Sequence, residues 1–284
     1  MERKYTPLEL AWLIRRHVIE MAHLSGGSHV ASALSCADVL AVLYSDILNI
    51  DPSNTSLESR DYFVMSKGHA GSALYAALAE TGFFDTKVLK THYQNGSILS
   101  GHVSHKTVPG VEVSTGSLGH GLSYAVGMAY ALKKDKKTNR VFCLVGDGEC
   151  QEGAVWEALN LAQQLKLDNL IVLVDYNKMQ AMGMVDEIIS LEPFLEKFKA
   201  FNCDAYQIDG HNIELIESAI KDCLKQNNKP HVIICDTIKG KGVDFMEMNL
   251  LWHYRYPHDG EEYENAVKEI NKSRPKELKD PYEE

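Results

Sequence analysis

The chain has 284 residues, of which 45% are hydrophobic and 24% are charged, as is typical of a globular protein of one or two domains. Its formal net charge of −10 argues against a nucleic-acid partner, because phosphate backbones are bound by basic surfaces. Its six cysteines include no Cys-x-x-Cys pair, so we expect reduced thiols and a cytoplasmic protein. The charged N-terminal segment has no long apolar stretch, and we expect neither a signal peptide nor a membrane span.

Helices and strands alternate along the chain. A first helix is predicted after Pro7, where apolar residues recur at helical spacing. Short apolar runs predict buried strands at 62–65, 141–145 and 170–174, a weaker strand at 205–208 and a further strand at 232–235. Two more helices are predicted after Gly153 and after Asn212. This alternation predicts an α/β fold, a doubly wound, mostly parallel sheet with helices on both faces, over residues 1–271. Residues 272–284 are predicted to be an exposed polar tail.

A Gly-Asp-Gly tripeptide follows the strand at 141–145, at the sheet edge where doubly wound folds bind ligands. Gly146 and Gly148 allow the backbone to approach a phosphate closely, and the next helix presents free N–H groups. The next strand ends near Asn177. We expect Asp147 and Asn177 to face each other and to bind Mg²⁺ together with a backbone carbonyl and two phosphate oxygens. Taken alone, the tripeptide is more typical of a plain strand–turn–helix connector, and the metal site is favoured only when the tripeptide, the helix and the second strand ending in Asn are considered together.

The stretch from Gly146 to Asn177 resembles the thiamine diphosphate motif of transketolases and related enzymes, which begins with GDG and ends with Asn. A second segment, PGVEVSTGSLG at 109–119, resembles transketolases more specifically. The resemblance extends from about residue 6 to about residue 256 and implies the diphosphate-binding, PP-type domain of that fold. It implies that Mg²⁺ is held by Asp147, Asn177 and the carbonyl of Met179. The residues it implies for binding thiamine diphosphate are His69, Gly116, Ser117, Leu118, Gly146, Asp147, Gly148, Glu152 and Asn177.

Four histidines stand in contexts that resemble those of transketolase active-site histidines, namely His29, His69, His102 and His253. The resemblance implies that they bind substrate hydroxyls and move protons, whereas a lone histidine is more commonly a polar core or surface residue. It also implies that Glu152 joins a carboxylate network between paired sites. The alternative for Glu152 is a charge that stabilises a helix N-terminus. His120 stands where Gln is usual, and residues 254–256 differ from the usual Gly-Lys-Ala, which leaves the sugar undetermined.

In transketolases a second domain carries the glutamate that activates the cofactor, and 284 residues are too few for both domains. The resemblance therefore implies a split transketolase. This chain would bind Mg²⁺ and the diphosphate, and a separate C-terminal subunit would carry the pyrimidine-binding domain and the activating Glu, with two copies of each. The pair would transfer a two-carbon ketol unit from a ketose (phosphate) to an aldose. Two alternatives are the α subunit of a thiamine-diphosphate 2-oxo-acid dehydrogenase and a non-catalytic thiamine-diphosphate-binding module.

Overall fold

A computed structural model describes residues 4–225 and 227–283, which form a parallel sheet between layers of helices. The sheet order is β1-β2-β3-β5-β4, and every neighbouring pair is parallel. This confirms the predicted α/β fold and all five predicted strands, including the weaker one at 205–208. The strands are β1 Tyr62–Met65, β2 Val141–Gly146, β3 Leu170–Tyr176, β4 Asp204–Asp209 and β5 His231–Asp236.

The helices cover both faces of the sheet. The helix predicted after Pro7 is confirmed: Thr6 Oγ1 accepts a hydrogen bond from the Glu9 backbone N–H at 3.3 Å and so caps its first turn. The helices predicted after Gly153 and Asn212 are also confirmed. The helices are α1 Pro7–Ser25, α2 Val30–Ser35, α3 Ala37–Val42, α4 Gly71–Glu80, α5 His120–Lys134, α6 Gly153–Gln164, α7 Val185–Ile188, α8 Phe194–Ala200, α9 Ile213–Cys223 and α10 Glu261–Asn271.

The central strands are buried on both faces, which explains their unbroken apolar sequences. Alternate residues point to opposite sides, so that Phe142 and Leu144 join one core and Cys143 and Val145 join the other. The first core includes residues of α1, α3, α4, α9 and α10. The second includes residues of α5, α6 and α8. Helices packed on both faces of the sheet therefore hold the carboxyl ends of β2 and β3 in place.

The last residues of the chain pack against α1. Asp280 is only 3% exposed and accepts a hydrogen bond from Arg16 Nε at 2.8 Å. Tyr282 Oη lies 2.6 Å from His17 Nδ1. The prediction of an exposed tail at 272–284 is therefore wrong for this part, because buried Arg16 needs a carboxylate partner. Over the described residues, no helix combines the length and apolar character needed to cross a membrane.

Candidate cofactor site and active site

Asp147 and Asn177 lie together at the ends of two adjacent strands. In the pairing of β2 with β3, Gly146 stands opposite Asp175, which brings the residues after each strand side by side. Asp147 Oδ1 accepts a hydrogen bond from the Gly148 N–H, and Oδ2 accepts one from the Lys178 N–H, both at 2.6 Å. These bonds join the two strand ends directly, and so the predicted neighbourhood of Asp147 and Asn177 is confirmed.

Asp147 forms no ion pair among the described residues, although the charge of Lys67 and two backbone N–H groups partly favour its ionised form. Burial of the side chain, which is 4% exposed, together with the negative charge of Asp175, raises the pKa of Asp147 to about 6. A buried carboxylate of this kind is stabilised by a nearby cation. The carboxylate therefore meets a chemical requirement of a metal ligand.

Asn177 is oriented by a buried ion pair beneath it. Asp175 is completely buried and pairs with the ammonium of Lys67, which is 1% exposed. Burial opposes ionisation of Asp175, but the charge of Lys67 and the hydrogen bonds outweigh it and lower the pKa of Asp175. Asp175 Oδ2 also accepts from Asn177 Nδ2 at 2.9 Å and from Ser35 Oγ at 2.6 Å. Because the amide nitrogen is engaged, the amide oxygen of Asn177, which accepts a long hydrogen bond of 3.3 Å from the Met179 N–H, is the atom that can act as a ligand.

The carbonyl of Met179, the third predicted metal ligand, already has a cationic neighbour. Lys239 Nζ donates to the Met179 carbonyl at 2.8 Å and lies 2.8 Å from His253 Nδ1. Burial, and then the charge of Lys67, lowers the pKa of Lys239 to about 8. At neutral pH the lysine is therefore still cationic, and it supplies positive charge at the wall of the site.

Glu149 closes the turn after β2. Its carboxylate accepts hydrogen bonds from the backbone N–H groups of Gly119 at 2.9 Å and of Gly146 at 3.1 Å. Gly119 has a φ of 85°, and a Cβ on it would lie 2.9 Å from Cβ of Glu152. Only glycine allows this close approach. The loop at 116–119 is thereby fixed against the start of α6, beside the strand ends.

One cavity of about 290 Å³ collects most of the predicted residues. The predicted residues that line it are His29, His69, His102, Gly116, Leu118, Gly146, Asp147, Gly148, Asn177, Met179 and His253. Ser117 and Glu152 do not line it, and both are exposed. Glu152 is instead the residue that precedes the first turn of α6.

The four predicted histidines form one cluster around His29. The ring centroid of His29 lies 5.2 Å from that of His69, 5.0 Å from that of His253 and 6.0 Å from that of His102. Burial and nearby positive charges lower the pKa of His29 to about 4 and that of His253 to about 3. Burial also lowers the pKa of His69 and of His102. The rings are therefore neutral at pH 7, with both donor and acceptor nitrogens.

Several residues of the cavity wall were not predicted from the sequence. Lys67 and Lys239 bring positive charge, and Glu149 and Gln180 bring polar groups. Tyr254, in the segment that departs from the usual pattern, also lines the cavity, and its ring centroid is 4.6 Å from that of His253. The lysines gave a local signal, since each stands beside a glycine turn, but a lysine in a polar loop is normally a solvated surface residue.

Residues 9–254 match the family described as transketolase, thiamine diphosphate binding domain. The chain belongs to the transketolase family. It is 42% identical over 257 residues to an apulose-4-phosphate transketolase subunit from Phocaeicola vulgatus, covering 90% of this chain and 91% of that one. It is 44% identical over 241 residues to a 6-deoxy-6-sulfo-D-fructose transketolase subunit of a Clostridium species, covering 85% and 88%. These findings confirm the predicted family and its thiamine diphosphate-binding domain.

The solved structures agree with this assignment. The transketolase of Campylobacter jejuni superposes with a TM-score of 0.86 at 33% identity, over 94% of this chain and 43% of that one. The transketolase of Leishmania mexicana superposes with a TM-score of 0.80 at 25% identity, over 95% and 45%. The chain thus spans less than half the length of these solved transketolases, whereas it matches nearly the full length of the relatives named as subunits.

Proposed function

We propose that this chain is the diphosphate- and Mg²⁺-binding subunit of a two-subunit transketolase that transfers a two-carbon ketol unit from a ketose to an aldose. One observation carries the proposal. A single cavity joins oxygen ligands from two adjacent strand ends to a cluster of four neutral histidines. Two relatives are named after sugars that carry an anionic group, a phosphate in one case and a sulfo group in the other. We therefore propose a ketose with an anionic end group as the donor.

The oxygen donors fit Mg²⁺. The Asp147 carboxylate, the Asn177 amide oxygen and the Met179 carbonyl are hard ligands on one wall, and two phosphate oxygens would complete the set. Within the described residues, no group of three His, Cys, Asp or Glu side chains is placed to hold a metal ion. Lys239 would offset part of the remaining phosphate charge. Gly146 and Gly148 leave the backbone open to the diphosphate.

The chain's own residues would prepare the sugar for reaction. Neutral His29, His69, His102 and His253 would accept protons from substrate hydroxyls and donate hydrogen bonds to oxygens that become negative. When bound, thiamine diphosphate supplies the thiazolium ring that stabilises the acyl carbanion, which no protein side chain does well. The residues of this chain therefore bind, orient and exchange protons around the reacting carbons.

The partner subunit would cover the exposed face of α5. This helix begins beside the cavity at Gly119, and its outer residues Tyr124 and Tyr130 are 57% and 39% exposed. Gly127 lies on the same exposed face, and a Cβ there would meet nothing within 4 Å. A glycine inside a helix costs about 1 kcal/mol relative to alanine, so its presence needs a reason. Close approach of a second surface is such a reason, and the partner it fits is the pyrimidine-binding subunit that would supply the activating Glu.

We further propose an assembly of two copies of each subunit in the cytoplasm. All six cysteines of the chain are free and buried, as suits a reducing compartment. In this arrangement Glu152, exposed at the start of α6, would lie where a partner can reach it.

The proposal is tested by reconstitution. The chain is purified with a separately produced C-terminal partner, such as one encoded by a neighbouring gene, and assayed with thiamine diphosphate and Mg²⁺. We expect ketol transfer from xylulose 5-phosphate to ribose 5-phosphate in the complex and none with the chain alone. Decarboxylation of 2-oxo acids without ketol transfer would indicate a dehydrogenase α subunit. Cofactor binding by the chain alone, with no activity in any complex, would indicate a binding module.

A further inference from the structure

A second, smaller cavity adjoins the main one. Its volume is about 40 Å³, and it shares His29, His69 and His102 with the cofactor cavity. Among the residues that line only the smaller cavity are His92 and Tyr93. We call this space the His92 annex. Its volume suits one hydroxyl-bearing carbon or one or two water molecules, and it is too small for a whole sugar.

Two of the residues that line the annex each have a buried ring nitrogen with no hydrogen-bond partner among the described residues. They are Nε2 of His92 and Nδ1 of His29. His92 is 6% exposed, so its ring does not form hydrogen bonds with bulk water. Leaving a buried polar atom unpaired is costly, and buried polar atoms in proteins normally have partners. Two such atoms in residues that line one small cavity point to a ligand that satisfies them.

The surroundings of His92 determine which of its nitrogens carries the proton. Ser25 Oγ donates its only proton to the Met21 carbonyl at 2.6 Å. It also lies 3.4 Å from His92 Nδ1, where it can then act only as an acceptor. His92 Nδ1 therefore carries the hydrogen. Burial lowers the pKa of His92 to about 4, which keeps the ring neutral at pH 7. In the neutral ring with a protonated Nδ1, Nε2 is a hydrogen-bond acceptor.

We propose that the His92 annex binds one hydroxyl group of the substrate, which donates its hydrogen bond to Nε2 of His92. An ionised phosphate or carboxylate has no proton to donate, so the annex selects a neutral hydroxyl over an anionic group. His29, whose Nδ1 is also unpaired, lines the same cavity and offers a second polar contact for that hydroxyl. The inference rests on the proposed function in taking this ligand to be a sugar. His92 thus determines specificity for a hydroxylated substrate.

The test compares substrates that differ by one hydroxyl. Hydroxypyruvate is compared with pyruvate as the donor, and glycolaldehyde with acetaldehyde as the acceptor, in the reconstituted complex. His92→Phe keeps an aromatic ring but removes the acceptor nitrogen, and His92→Gln supplies an amide oxygen instead. His258→Phe, at an exposed histidine outside both cavities, is the matched control. For each pair, the measured quantity is kcat/KM of the hydroxylated compound divided by kcat/KM of its analogue without the hydroxyl. We expect His92→Phe to reduce this ratio for at least one of the two pairs, on the order of fivefold, as for one lost hydrogen bond. His92→Gln restores part of that ratio.

Ratios that stay within about twofold of the wild type for both pairs in His92→Phe would overturn the assignment. A readout without turnover keeps the inference separate from the proposed function. In imidazole ¹⁵N spectra of the wild-type chain, Nε2 of His92 is expected to be unprotonated at pH 7 and to shift on addition of hydroxypyruvate but not of pyruvate. A signal that shifts with neither compound contradicts the annex, even where ketol transfer is observed. A signal that shifts as expected supports the annex, even where no transfer occurs.

Discussion

Asp175→Asn is expected to destabilise the chain strongly, although Asp175 is not itself a proposed ligand. Its carboxylate is completely buried and is the acceptor for Lys67, Ser35 and Asn177 on one oxygen and for Thr237 on the other. The substitution keeps the shape but leaves the ammonium of Lys67 buried without a counter-charge. Breaking a buried ion pair by neutralising one partner costs about 3–5 kcal/mol. We expect a loss of this size in the free energy of unfolding.

The loss is measured by urea unfolding at pH 7.5. The matched control is Glu58→Gln, which breaks an ion pair with Lys137 in which the Glu58 side chain is 89% exposed. Such surface pairs contribute about 0–1 kcal/mol, so the control separates burial from charge itself. Adding Lys67→Met to Asp175→Asn removes the unpaired charge and is expected to recover part of the loss. The reasoning fails where Asp175→Asn loses no more stability than Glu58→Gln.

Two further predictions concern acid stability and assembly. The pKa of His92 is lowered in the folded chain to about 4 from 6.5, so below pH 6.5 the unfolded chain binds a proton that the folded chain does not. The folded chain therefore loses stability as the pH falls from 6.5 towards 4, and His92 accounts for about 2 kcal/mol of this loss at pH 5. In urea unfolding, His92→Phe is expected to lose less free energy of unfolding than the wild type between pH 7.5 and pH 5. An equal loss in both proteins would refute this. Gly127→Arg, whose side chain begins in open space, is expected to fold normally but to block assembly with the partner in size-exclusion chromatography. Normal assembly of this variant would show that the partner does not dock on α5.

The sequence was sufficient to predict the strands and the strand-end site, for reasons that are local. Buried parallel strands appear as short apolar runs, and β2 and β3 were predicted within two residues of their observed ends. The glycines on both sides of Asp147 mark a turn that must pass close to a ligand. Because consecutive strands in this fold commonly pair in parallel, Asp147 and Asn177 were predicted correctly as neighbours.

The remaining features depend on contacts between residues far apart in the chain. Lys67 pairs with Asp175 across 108 positions, and the glycine turn beside Lys67 does not by itself indicate that the lysine is buried. Asp280 reaches Arg16 across 264 positions, which is why the end of a polar C-terminal segment was wrongly predicted to be exposed. The orphaned nitrogen of His92 is likewise a consequence of packing around α1. Tertiary partners of this kind leave no periodic or spacing signal in the sequence.

The central claim is that Asp147 and Asn177 hold a magnesium ion that binds a diphosphate. The most direct test is calorimetric titration of thiamine diphosphate into the reconstituted complex, with and without Mg²⁺, for the wild type, Asp147→Ala and the control Asp259→Ala. The Asp259 side chain is 99% exposed and lies outside the cavity. We predict that Asp147→Ala weakens Mg²⁺-dependent binding by more than about 100-fold, because it removes the one charged ligand that the protein contributes to the proposed set, while Asp259→Ala matches the wild type. Wild-type affinity and Mg²⁺ dependence in Asp147→Ala would contradict the site.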